Sequence, residues 1–128
     1  MKQEVSSGIE ELKRQFSASS LAVREDGQGG AYVIIEPVTL GPKYRPMDTW
    51  VGFHMPAQYP YTDIYPVFIG GNVVRSDGVP FSAPVTPGHV FEGRPAIQVS
   101  RRNSAAQSGT QKVIAKILKV LDFLEKLS

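Results

Sequence analysis

Cysteine is missing from all 128 residues. Its absence excludes disulfides, thiolate metal sites and any thioester or cysteine nucleophile in this chain. Histidine is nearly as scarce. His54 and His89 lie far apart in the sequence and have no cysteine to join them, so no metal site is expected. No apolar run approaches the roughly 18 residues that a membrane span needs. The amino-terminal MKQEVSSGIEEL brings in glutamates where a secretory signal would carry its apolar stretch, so a cytoplasmic protein without a membrane partner is expected. Charge of one sign is lacking too. Fourteen Lys and Arg face twelve Asp and Glu, and the basic residues are spread along the chain apart from the pairs Lys13-Arg14 and Arg101-Arg102, which gives no footprint for a nucleic acid.

What is present suffices for one core. Hydrophobic residues make up 41% of the chain, with six Phe, five Tyr and one Trp, and this length predicts a single domain over residues 1–128. All ten prolines and ten of the twelve glycines fall between Gly27 and Pro95, leaving two ends almost free of helix breakers. Val5, Ile9, Leu12 and Phe16 form an amphipathic stripe, and Ser7 with Glu10 has the capping-box pattern, predicting a helix from Ser7 to Ser17. Val113, Ile114, Ile117, Leu118, Leu121, Leu124 and Leu127 form a second stripe. Ser108 with Gln111 offers a cap, and the predicted helix runs from Thr110 to Lys126.

Between the helices, Ser20 to Arg24, Ala31 to Leu40, Thr49 to Met55 and Tyr65 to Ile69 are rich in Val, Ile, Tyr and Phe and are separated by turn residues. Short links between consecutive strands predict an antiparallel meander. A long irregular stretch from Gly70 to Pro95 and a short segment from Ala96 to Ser100 follow. The expected class is α+β, one sheet with helices packed on it.

Within this frame, Met55-Pro56, Tyr59-Pro60-Tyr61 and Tyr65-Pro66-Val67-Phe68 resemble the middle of ubiquitin-conjugating enzymes, and Gly41-Pro42 with Tyr44 looks like that family's Gly-Pro loop. Further on, Gly93-Arg-Pro-Ala96-Ile97-Gln-Val99 resembles the segment in which a glycine precedes the catalytic cysteine by three residues and a helix follows. The residue at the cysteine position is Ala96. A competing register matches Gly71-Asn72-Val73 and Asp77-Gly78 to the family's His-Pro-Asn turn and the glycine after it, placing the reactive position near Phe81. No His-Pro-Asn is present in either register.

The resemblance implies a fold with an amino-terminal helix, a four-stranded meander, a long loop carrying the active-site position, and a carboxy-terminal helix. It implies a bacterial conjugation system whose partners are a ubiquitin-like protein, a ubiquitin-activating-like enzyme and a deconjugating metalloprotease from the same operon. The family's chemistry needs a thiolate that accepts an acyl group and leaves again, which alanine cannot supply. Either a nucleophile was replaced at Ala96, or the chain is a naturally noncatalytic variant that binds a ubiquitin-like protein or scaffolds a complex. His89 stands as the auxiliary group beside Ala96, with Arg94 nearby. Gln98, Ser100, Arg101, Arg102 and Asn103 are the candidates for holding the partner's extended tail. Lys13 and Arg14 on the first helix, with Tyr59, Pro60 and Tyr61, are carried over as contacts for the activating enzyme or a ligase. His54, beside Phe53, is expected to be a satisfied sheet residue, and an unrelated hydrolytic enzyme built on His54, His89 and acidic residues finds no support in their spacing. No cofactor is expected.

Overall fold

A computed structural model describes residues 1–101 and 112–127. Helix α1 spans Gln3–Gln15 and helix α2 spans Val113–Glu125. The strands are β1 Ser20–Glu25, β2 Ala31–Thr39, β3 Tyr44–Arg45, β4 Asp48–Met55, β5 Val67–Gly70, β6 Val74–Arg75, β7 Val85–Phe91 and β8 Arg94–Val99. Six strands form one antiparallel sheet in the order β1-β2-β4-β5-β8-β7, and β3 pairs with β6 in a small ladder of its own. The fold is α+β, with the expected helix at each end.

Its core follows from period-two alternation. One row of side chains crosses the sheet through Leu21, Ile35, Val51, Ile69 and Ile97, and a second through Val23, Val33, Phe53, Val67, Val99 and Val85. Apart from the two β1 residues at the margin, all of these are buried. On them rest Val5, Ile9 and Leu12 of α1 and Val113, Ile117, Val120 and Leu124 of α2, the stripes visible in the sequence.

Two expectations need correction. The first helix begins at Gln3, not Ser7, so Ser7 sits within the helix and caps nothing; Lys2 is the N-cap, and its N–H donates to the Gly29 carbonyl in the β1–β2 turn. The capping pair proposed for the second helix, Ser108 and Gln111, lies outside the described residues. The four expected strands are β1, β2, β4 and β5, but the stretch expected to be irregular holds β6, β7 and the start of β8, so the main sheet has six strands rather than four. The β7–β8 hairpin was hidden by its punctuation. Pro87 and Gly88 occupy a bulge in the edge strand between Thr86 and His89, and Glu92-Gly93, both at positive φ, make the two-residue turn.

Candidate functional site

Ala96 lies inside β8, opposite Gly70 of β5 and His89 of β7. It is 2% exposed and points away from the helices, packed with Ile34, Trp50 and Phe91. The glycine three residues before it is accounted for by geometry, since Gly93 has φ 76° and turns the hairpin. The tip then folds back over the helix-free face of the sheet. Phe91 stacks 4.9 Å from Phe68 and lies 6.2 Å from both Trp50 and Tyr32, over Gly52, where a Cβ would come within 2.6 Å of the Phe91 ring. Glycine is what that approach requires.

Two ion pairs of opposite polarity tie the tip down. Arg24 of β1 donates through Nε and Nη2 to the Glu92 carboxylate at 2.8 and 2.9 Å, and Arg94 donates to Glu36 of β2 at 3.0 Å. Both guanidiniums also lie over rings, Arg24 on Tyr32 at 4.5 Å and Arg94 on Trp50 at 5.6 Å. A side chain at position 96 is therefore enclosed by the hairpin that carries it. The expectation of a loop-borne position does not hold for Ala96. In the competing register, Phe81 does sit in a loop, between β6 and β7, but its ring stacks on Tyr44 at 6.2 Å and packs against the main core.

Of the auxiliary residues, His89 is brought opposite Ala96 on the same face. Its Nε2 lies 3.1 Å from Thr86 Oγ1, and its ring meets Phe68 edge-on at 6.5 Å. Gln98 shares that face and donates to Ser100 Oγ at 2.7 Å. Arg101 goes elsewhere. Its guanidinium lies over Phe123 of α2 at 4.8 Å, and its carbonyl accepts a hydrogen bond from Lys116 Nζ. Lys116 is itself only 5% exposed and pairs with Asp63 at 3.0 Å. Ala96 and Arg101 thus face different parts of the molecule, while Arg102 and Asn103 lie outside the described residues.

The contact candidates lie on two elements, and Tyr59 is not open to a partner. Tyr59 is 4% exposed, and its hydroxyl accepts the Val113 N–H at 3.0 Å. Its ring packs on Gly8, where a Cβ would lie 3.0 Å from Tyr59 Cε2, and burial pushes its hydroxyl pKa up. The 56–66 loop is thereby fastened to both helices, and Tyr61 projects from it 72% exposed. Lys13 and Arg14 are exposed on α1, Lys13 paired with Glu10 at 3.3 Å. Tyr59, not Tyr61, closes the core.

One pair escaped the sequence. His54 Nε2 lies 2.7 Å from Asp26 Oδ2, and the His54 ring stacks on Tyr32 at 4.5 Å. The other Asp26 oxygen accepts the N–H groups of Gln28 and Gly30 at 2.8 and 2.9 Å. The hydrogen bond from His54 and then that from the Gln28 N–H hold the Asp26 carboxyl down at about 2. The arrangement pins the β1–β2 turn to β4, so His54 is the satisfied sheet residue expected. The available signal was Asp26-Gly-Gln-Gly-Gly, an acidic residue heading a glycine turn.

Among the described residues, no helix is long and apolar enough to cross a membrane. No protein-family model matches the chain, and no curated protein or solved structure is significantly similar to it.

Proposed function

We propose that this chain is a noncatalytic, ubiquitin-conjugating-like domain of a bacterial conjugation system, which docks a ubiquitin-like protein or its activating enzyme and does not carry an acyl group. The observation that supports the reading is the enclosure of Ala96. A thioester needs a thiol that a partner's carboxy-terminal tail can reach, and position 96 has neither a thiol nor an open approach. The helix, meander and helix order is consistent with the family resemblance. Docking falls to the exposed side of α1 around Lys13 and Arg14 and to the loop bearing Pro60 and Tyr61. An exposed aromatic on a loop held by two helices loses little conformational entropy on association.

A second reading, transfer by an ancestor or relative with cysteine at position 96, draws on His89 lying directly across from Ala96. One experiment separates the two. Ala96→Cys is mixed with ATP, the activating enzyme and the ubiquitin-like protein encoded beside its gene, and the products are run with and without thiol reductant. The docking reading expects a complex on gel filtration that Tyr61→Ala weakens at least tenfold, and no reductant-sensitive adduct. An adduct supports transfer; failure of both partners to bind sinks both readings.

A further inference from the structure

The two edges of the sheet are finished differently. Strand β7 ends the sheet with Pro87, Gly88 and a bulge, devices that discourage another strand from pairing. Strand β1 has none. Ser20-Leu-Ala-Val-Arg-Glu25 is a run without proline, glycine or lysine, and it pairs regularly with β2 from end to end. Every residue except Leu21 is exposed, including the side chain of Val23. Its two charges are engaged within the molecule, Arg24 with Glu92 and Glu25 with the amino-terminal ammonium at 2.7 Å. They do not guard the edge.

The backbone phase shows what the edge offers. The Asp26 N–H donates to the Gly30 carbonyl, so by alternation Arg24, Ala22 and Ser20 turn their N–H and C=O toward β2. Leu21, Val23 and Glu25 turn theirs outward, where no other described strand meets them.

We infer that the β1 edge is a self-association surface, and that a second copy of this chain adds its own β1 antiparallel across a two-fold axis at Ala22. The argument is self-complementarity. In this register Ala22 faces Ala22 of the second copy, Leu21 faces Val23 and Val23 faces Leu21, so apolar meets apolar and the outward backbone groups of residues 21 and 23 pair with one another. Arg24 faces Ser20, and no like charges are opposed. Along the same strand, a cavity of about 260 Å³ lined by Ala22, Val23, Arg24, Tyr32, Ile34 and Glu92 opens on the helix-free face next to this edge. The result is one continuous sheet through two molecules. This inference is independent of the function proposed above.

The absence of cysteine makes the test clean. Residues facing each other without mutual hydrogen bonds across antiparallel strands have Cα atoms about 4.5 Å apart, within disulfide reach. Ala22→Cys should cross-link to its own copy under mild oxidation at least tenfold faster than Val23→Cys, which faces Leu21. By sedimentation velocity the native chain should show a concentration-dependent dimer. Val23→Pro removes one outward N–H and no β1–β2 bond, and should raise the dimer dissociation constant at least tenfold with an unchanged circular dichroism spectrum. If Val23→Pro does not fold, Ala22→Lys and Ala22→Glu serve in its place, each monomeric alone and dimeric when mixed. A native chain that stays monomeric to millimolar concentration, or equal cross-linking of the two cysteine variants, overturns the proposal, as does pairing with an extended segment of another protein only.

Discussion

Val33, Ile35, Val51 and Phe53 meet two helices on one face of the sheet, whereas Tyr32, Trp50, Phe68 and Phe91 meet one another on the other. The aliphatic face is covered by elements that the sequence announces through helical periodicity, with Lys116 buried among them. The aromatic face is covered by the sheet's own last hairpin, folded back on a glycine floor and clasped by exposed ion pairs. Burial can thus be achieved by adding a layer or by bending the sheet over itself. The second solution depends on a few small residues and one turn.

The largest expected effect tests the helix side. Phe53→Ala should lower the unfolding free energy by about 3–5 kcal/mol in urea titration, the usual cost of deleting a fully buried ring. A loss comparable to a surface substitution would show that the helix side is not the principal core. Lys116→Met should cost about 3 kcal/mol, because Asp63 is left charged without its buried ammonium, and adding Asp63→Leu should recover most of it. On the hairpin side, Gly52→Ala should cost about 1–3 kcal/mol by pushing Phe91 off its seat. A neutral result in thermal melts would mean the hairpin is not held by that contact.

The pH dependence separates the faces further. Asp26 has its carboxyl held at about 2, below the usual 3.8, so its contribution is complete above the ordinary value and is lost as pH falls through about 2. The melting temperature of the native chain should exceed that of Asp26→Asn at neutral pH, with the gap closing between about pH 4 and pH 2. A gap that persists unchanged to pH 2 would refute the His54–Asp26 assignment. Arg24→Gln should have the smallest effect, a small drop in melting temperature that disappears in molar salt, as expected of an exposed ion pair.

Both helices were legible from their apolar stripes, and β1, β2, β4 and β5 from runs of Val, Ile, Tyr and Phe set off by turn residues. The β7–β8 hairpin was not, since Pro84, Pro87, Gly88, Gly93 and Pro95 break its alternation in the sequence while the bulge preserves it in space. Gly93 and Ala96 show the same gap at the candidate site. Their spacing matched a reactive segment, but the glycine is spent on a turn and the alanine on close packing beneath Trp50 and Phe91. His54 and Asp26 could be paired only once the register of β2 against β4 was known. Tyr59-Pro60-Tyr61 is a contact loop only by what the family resemblance implies; in the structure Tyr59 is buried and Tyr61 exposed.

Trp50 is the one tryptophan of the chain, and it lies under the returning hairpin, beside Phe91 and below the Arg94 guanidinium. Its emission is therefore an optical gauge of a single event, the seating of that hairpin, while far-ultraviolet dichroism records the helices on the opposite face. The molecule carries its own two-channel reporter, with no label needed to learn whether the two layers melt together or apart.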